Sequence, residues 1–379
     1  MIGEIRNKLE SGEDKVRLAV ALRKQNNLER GSFLLSQAEL QLRGRKKFTK
    51  ADQMLFTRVG LEQATSEVLA DYKASQVPDD LERYDVCCGI GGDSIGLGRQ
   101  KKVVSVDRDE TTCRIATHNL AVNCDMSSEV HHEEFENLNI PENAFVHLDP
   151  DRRTKGRTIR PENFSPNLNE ILNKLLKTGT SQRTVCVKMA PATRLETDLD
   201  VPHRAQWIGH QRECKQQLLW LGGNIVSCSN HVSIVDNEGN AFEFDTGETQ
   251  HSQVVAPSLD EFLFEPHSAV LGADLVDEFA AANELGRLSY GSVYLTGPQK
   301  DCSPFTAAFR ILESCAMKPK VIKEVLNSHD IGQVEWKSRG LDQKTVSRLS
   351  KIRPQGSLNG VAVLTRLGAK FVCYVCKRI

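Results

Sequence analysis

Two short runs of this 379-residue chain hold side chains that could do chemistry. In Phe145-Val146-His147-Leu148-Asp149-Pro150, an apolar run ends on an acid followed by proline. If that run is a strand of an open parallel sheet, its carboxyl end is where substrates sit, near the reversal of strand order. The Asp149 carboxylate and a turn carbonyl stiffened by Pro150 then offer two acceptors. Both could orient an amino group for an in-line displacement, a reaction that depends mainly on positioning. Arg152 follows, with a guanidinium plane able to stack on a base or pair with phosphate. Arg153, Lys155 and Arg157, continued by Arg160, make a basic loop suited to track a phosphate backbone. Solvated loop charge without a partner would give the same pattern.

The second run is Asp85-Val86-Cys87-Cys88-Gly89-Ile90-Gly91-Gly92-Asp93. Glycines between a strand and a helix let backbone amides approach a ligand, and the helix N-terminus beyond favours negative charge. Val103 to Asp107 reads as a second strand ending in an acid, which can accept both ribose hydroxyls of an adenosine. Asp85, Gly89, Gly91 and Asp107 are therefore the candidate cofactor residues. Glu134, after a weaker third strand, is placed at the adenine edge, although a solvated acidic loop would look alike. Nicotinamide dinucleotide sites share this geometry, but their fingerprint expects a final glycine where Ser94 stands. With Asp149-Pro150 delivered from a later strand, S-adenosylmethionine (SAM) is the favoured cofactor. A nicotinamide dinucleotide and a glycine turn without any nucleotide remain as alternatives.

Methyl transfer to a base amino group would often bring a second proline and an aromatic platform; both are missing after Asp149-Pro150. Pyrimidine C5 methylation would instead need a cysteine nucleophile, for which Cys186 and Cys228 are the candidates. Neither sits in a convincing nucleophile loop.

The elements that must position these groups can be read coarsely. The first 78 residues look helical, and apolar positions 61, 64, 68, 69 and 72 share one helical face. Pro78 closes that region. From 79 to 258, strands near 83–87, 103–106, 129–131, 145–148 and 184–187 alternate with helices beginning near Asp93, Glu110 and Asn167. Such alternation implies a Rossmann-like, doubly wound α/β sheet. Stretches 224–229 and 232–235 could add its last strands. Residues 259–379 read as a separate small α/β module, with helices at 268–282 and 319–326 and paired strands at 360–365 and 370–376.

Composition excludes several classes. Hydrophobic residues make up 39% and charged residues 26%, an ordinary globular profile. No run approaches the roughly 18 apolar residues of a membrane helix, and the charged N-terminus is no secretory signal, so a cytoplasmic protein is expected. Eleven cysteines, an odd and scattered count, point to free thiols. Cys373-x-x-Cys376 lacks the second ligand pair of a zinc site, so no metal is expected. Net charge is -1, yet residues 1–60 hold 13 basic against 7 acidic residues and residues 301–379 hold 14 against 6. Basic ends around an acidic middle suit a chain that grips a polyanion; scattered surface charge fits equally.

Further stretches complete a pattern: 47–65, Leu148-Asp149-Pro150-Asp151-Arg152-Arg153, Ser165-Pro166-Asn167-Leu168, Val187-Lys188-Met189-Ala190-Pro191, Leu219-Trp220-Leu221-Gly222, Tyr294-Leu295-Thr296-Gly297 and Cys376-Lys377-Arg378-Ile379. Together they make the chain resemble the bacterial class I SAM-dependent methyltransferases with a C-terminal THUMP-like domain. The resemblance implies a Rossmann-like methyltransferase joined to a small ferredoxin-like piece and a THUMP-like module. True THUMP domains bind RNA, commonly tRNA, so it also implies an RNA substrate, a tRNA or rRNA base. Thr57-Arg58 is implied as a wall of the cofactor site. A methyltransferase of proteins or small molecules, and a non-catalytic SAM-binding RNA chaperone or assembly factor, are the alternatives. The sequence sets neither the target atom nor the oligomeric state.

Overall fold

The strands expected to carry the chemistry all form. The computed structural model describes residues 1–379 apart from 26, 100, 126–127, 153–157, 177–181, 196–200, 223–224, 226–229, 246–253, 299–300 and 369. The chain divides into two units: Met1–Ala205, Gln216–Ser227 and Val235–Ala241 make the first, and Gln206–Lys215, Cys228–Ile234 and Phe242–Ile379 the second.

The first unit opens with helices α1 (Ile2–Glu10), α2 (Lys15–Gln25) and α3 (Leu28–Gly44), which share an apolar cluster that includes Ile5, Leu22 and Leu35. The helix expected across 61–72 is instead broken into α4 (Arg58–Gln63) and α5 (Glu67–Ser75). Lys47 supplies the reason. Its ammonium donates to the carbonyls of Leu61, Glu62 and Ala64 at 2.8, 3.0 and 2.7 Å, satisfying groups a continuing helix would have paired itself. The neighbouring cations also have partners within the fold: Arg43 pairs with Glu62, Arg45 with Asp52 and Glu10, and Lys50 donates to the Val122 carbonyl. These residues serve folding, so part of the N-terminal excess of positive charge is used within the fold.

Next come β1 (Glu82–Val86), α6 (Gly92–Gly98), β2 (Val103–Asp107), α7 (Glu110–Asn123), β3 (Glu129–His132) and β4 (Ala144–Leu148). They are followed by β5 (Asp151–Arg152), β6 (Thr158–Ile159), β7 (Phe164–Ser165), α8 (Leu168–Leu176), β8 (Thr184–Met189) and β9 (Arg194–Leu195). Past β10 (His203–His210), β11 (Glu213–Gly222) returns to this unit. The strand order is β11-β8-β4-β1-β2-β3. Strands β8, β4, β1, β2 and β3 run parallel, and β11 is antiparallel to β8.

Every residue of β4 is buried, as a central strand covered on both faces requires. The two faces differ in chemistry because side chains alternate along a strand. Val86, Val146, Leu148, Val185 and Val187 point to a core shared with Leu168, Ile171 and Leu175 of α8. Each such buried side chain is worth about 1.5–3 kcal/mol. The alternating positions hold Asp85, His147 and Cys186, also buried.

All of α6 is buried, and Gly96 explains how. A Cβ there would stand 2.4 Å from the Ala70 carbonyl carbon of α5, so only glycine permits this backbone contact. Gly96→Ala is therefore expected to destabilise the protein by about 1–3 kcal/mol, despite alanine's higher helix propensity. Urea unfolding measures this, and a neutral or stabilised variant would refute the close approach.

The second unit contains β12 (His231–Val235) and β13 (Ala241–Phe244), ordered β13-β12-β10. It continues with β14 (Phe262–Pro266), α9 (Ser268–Gly272), α10 (Val276–Ala282), β15 (Gly286–Arg287), β16 (Leu295–Gly297), β17 (Thr306–Ala316), α11 (Pro319–Ser328), β18 (Ile331–Ser338), α12 (Gln343–Leu349), β19 (Leu358–Leu367) and β20 (Lys370–Arg378). The sheet order is β15-β16-β14-β17-β20-β19-β18. The single helix expected over 268–282 is two helices, parted where Asp274 takes a left-handed φ of 59°. The strand expected at 224–229 lies, but for Ile225, outside the described residues.

Ile322, Val325 and Leu326 of α11 and Leu349 of α12 pack on one face of β18, β19 and β20. Cys373 belongs to that cluster and Cys376 to the cluster on the opposite face. A spacing of three along a strand sends the two thiols apart, so they cannot share one metal ion. Among the described residues no helix is long and apolar enough to cross a membrane.

Candidate active site

The glycine turn lies at the carboxyl ends of β1 and β2. Cys87, Gly89 and Gly91 all have positive φ, at 61°, 55° and 87°, a path in which glycine carries no penalty. A Cβ on Gly89 would meet nothing within 4 Å, so open space borders the turn where a ligand's backbone-hugging part would lie. Gly91 is the left-handed N-cap of α6. Asp107 ends β2 half-buried and organises the turn: Oδ2 accepts the Gly89 amide at 3.0 Å and Oδ1 the Asp109 amide at 3.0 Å. Each oxygen retains a second lone pair for a hydroxyl.

Asp85 is placed differently. It is 1% exposed, with Oδ2 accepting from Ser94 Oγ at 2.5 Å and Oδ1 2.8 Å from His147 Nδ1. It lies under the turn and supports it. Glu134 is exposed and caps a short 3-10 turn through its carbonyl, which accepts the Asn137 amide at 3.1 Å. Its neighbour Glu133 is tied to the site by an amide that donates to the Asp107 carbonyl at 3.1 Å. Asn119 of α7, fully buried, links the segment before α4 to the turn. Its Nδ2 donates to the carbonyls of Leu55 and Ile90, each at 3.0 Å, and its Oδ1 accepts the Leu55 amide. The Thr57-Arg58 segment follows directly.

Asp149 emerges from β4, its amide donating to the Val86 carbonyl at 3.2 Å, with Pro150 buried behind it. Oδ2 accepts from Lys188 Nζ at 2.6 Å. The strand register brings them together: Leu148 lies beside Val187, so the next positions, 149 and 188, are also neighbours. Arg152 sits on β5 opposite Phe164. Arg153, Lys155 and Arg157 lie outside the described residues. Arg108, past β2, reaches towards the same segment, 3.7 Å from Asp151 and 3.2 Å from Ser165 Oγ.

Beneath Asp149 runs a network absent from the sequence reading. Lys188 Nζ is 3.6 Å from Asp93 Oδ2. Asp93 also forms an ion pair with Lys73, accepts from Thr65 Oγ1 at 2.8 Å, and lies 3.9 Å from His147 Nε2. Lys73 donates to Gln216 Oε1 at 3.1 Å. Burial alone would raise the Asp93 carboxyl, but the combined field of Lys73, His147 and Lys188 outweighs it and holds the group well below the usual range. Three signals were available: Lys73 falls on the apolar stripe of its helix, and His147 and Lys188 interrupt strands otherwise apolar. Cys186 is fully buried and burial pushes its thiol up to about 12. Fully buried, that thiol is closed to a substrate from solvent; Cys228 lies outside the described residues.

Residues 306–378 match the family of THUMP domain-like modules. Over 337 residues, 86% of this chain and 89% of the relative, the chain is 26% identical to an uncharacterized S-adenosylmethionine-dependent methyltransferase of Mycobacterium tuberculosis. Its fold matches the crystal structure of a protein of Porphyromonas gingivalis W83 provisionally described as a methyltransferase. There the TM-score is 0.77 at 19% identity, covering 100% of this chain and 98% of that one. By fold and homology the chain is thus a homologue of SAM-dependent methyltransferases that ends in a THUMP-like module.

Proposed function

We propose that this methyltransferase homologue transfers the methyl group of SAM to a base of tRNA or rRNA in the cytoplasm. The observation that carries the reading is Asp149, a half-exposed acceptor at the end of β4, held by Lys188 one strand away from the glycine turn. The cofactor supplies a sulfonium-bound methyl group. Gly89 and Gly91 leave room for it against the backbone, Asp107 accepts its ribose hydroxyls, and Glu134 or the adjacent Glu133 meets the adenine edge. Asp85 supports the turn from below. Asp149 and the Pro150 carbonyl orient the target amino group, Arg152 completes this catalytic group by stacking on the base, and Arg153, Lys155 and Arg157 contact the RNA. The division into a helical region 1–78, a methyltransferase domain 79–258 and a ferredoxin-like plus THUMP-like module 259–379 belongs to the same reading.

Support for RNA comes from the THUMP-like match and from its charge. Around α11 and α12, Lys318, Lys320, Lys323, Lys344, Arg348 and Lys351 are exposed, a distribution suited to phosphates. Reversing two of them, Lys344→Glu with Arg348→Glu, is expected to weaken RNA association about tenfold or more and flatten its salt dependence. SAM affinity should not change. Filter binding across a salt series reads the first and calorimetry the second; equal RNA binding would remove this surface from the proposal.

The deciding experiment incubates the protein with radiolabelled SAM and bulk RNA from a strain lacking the gene. Label in one RNA size class is expected. Label only in protein or small-molecule fractions would replace RNA as the substrate, and no transfer despite tight SAM binding would favour a non-catalytic assembly factor.

A further inference from the structure

We propose that Lys188 is a positioning residue for the transfer, anchoring one oxygen of Asp149 so that the other faces the nucleophile. The inference rests on the reading of Asp149 as the acceptor of the target amino group.

Position 188 belongs to a strand flanked by β4 and β11, where apolar residues are expected throughout; all its other residues are buried. A lysine there costs several kcal/mol in desolvation unless its charge is paired. It is paired twice, with Asp149 at 2.6 Å and Asp93 at 3.6 Å. Its side chain is 15% exposed against 37% for Asp149, so the ammonium approaches from the protein side and leaves the carboxylate's outer side to solvent. Among the described residues, Oδ1 of Asp149 has no hydrogen-bond partner. One oxygen is therefore fixed and the other presented.

The anchor is itself held from below. Asp93 is secured by Lys73 and Thr65, and Lys73 by Gln216. These partners come from α5, α6, β11 and the segment before α5, so the position of Asp149 is set by packed elements. Burial would lower the Lys188 ammonium, but Asp149 and Asp93 outweigh it and raise it; the residue stays a cation at working pH. An uncharged amine could serve as a proton acceptor, whereas this cation can only donate. Its contribution is then geometric and electrostatic, and a proton leaving the substrate nitrogen must go to Asp149 or to water.

The charged surroundings of Asp149 come from several elements. Lys188 and Asp93 stand behind it, with Lys73 and the His147–Asp85 pair deeper. Asp107 and Asp151, like Asp149, lie near the Cys87 thiol, and Arg108 stands 3.7 Å from Asp151. Lys188 alone among these is within hydrogen-bond distance of Asp149. Removing it leaves neither oxygen of Asp149 with a hydrogen-bond partner among the described residues, so the carboxylate loses its fixed orientation.

The test uses full-length protein carrying carboxyl-labelled aspartate, observed by NMR at fixed pH without RNA. Asp149→Asn identifies the Asp149 signal by its loss. In Lys188→Met the Asp149 carboxyl signal should move and broaden as its anchor is lost, kcat should fall about 10- to 100-fold, and calorimetric SAM affinity should hold. An unmoved Asp149 signal with kcat near the wild-type value would overturn the proposal. Should Lys188→Met not fold, the double variant Lys188→Met with Asp149→Asn removes both charges. Refolding in the double variant but not in the single would confirm the coupling of the pair, and failure of both would contradict it. A moved Asp149 signal in a protein that labels no RNA would leave Lys188 in place and reject the RNA substrate instead.

Discussion

Replacing Asp149 by asparagine should lower methyl transfer about 10²- to 10⁴-fold while SAM still binds. The substitution keeps the shape of the side chain and exchanges a charged acceptor for an amide, one of whose two positions is now a donor. In the native arrangement one oxygen of Asp149 is taken by Lys188 and the other is left for the substrate. An amide nitrogen in either position is wrong: towards Lys188 it faces another donor, and towards the substrate it repels an amino N–H. Alanine removes the acceptor altogether and should act at least as strongly. The glycine turn and Asp107 are untouched by either change, so calorimetry should report unchanged SAM affinity. Single-turnover transfer within about threefold of wild type in both variants would show that Asp149 does not hold the nucleophile.

The second large effect concerns stability. Asp93→Ala is expected to cost about 3–5 kcal/mol, since it strips the carboxylate from two buried ammonium groups. Lys73 and Asp93 have side chains only 5% and 8% exposed, so water cannot replace the lost partner. The same pair makes stability pH-dependent. With its folded-state pKa held below the unfolded value, Asp93 contributes fully above about pH 4. That contribution is lost as pH falls further, through the depressed folded-state value. Thermal melts of the wild type should therefore drop on acidification below about pH 4, and Asp93→Asn should start lower and fall less steeply. Parallel curves for the two proteins would show that Asp93 is not the linked group.

Much of the first unit was legible because its signals are local. The glycines at 89 and 91, the acid closing β2 and Asp149-Pro150 closing β4 need only a strand period and knowledge of where parallel strands end. The alternation of strands and helices gave the sheet, and strand positions 83–87, 103–106 and 184–187 fall within a residue or two of those observed. Local signals also misled. The stripe at 61, 64, 68, 69 and 72 reads as one helix, and only Lys47, more than ten residues earlier, makes two of it by capping the first. The basic excess of residues 1–60 suits a polyanion grip, yet Asp52, Glu10 and Glu62 pair with Arg43 and Arg45 within it.

By itself the sequence determined the fold class and the glycine turn, because strand period, helix stripe and glycine backbone freedom are properties of neighbouring residues. Only the tertiary structure decided that Asp85 lies beneath the turn, that Lys188 stands beside Asp149, and that Lys73 and Asp93 are buried together. Those pairings depend on strand register and on two helices meeting at Gly96. Side chains 20 (Lys73 and Asp93) and 39 (Asp149 and Lys188) residues apart in sequence acquire their roles only when packing removes the water that would otherwise separate them.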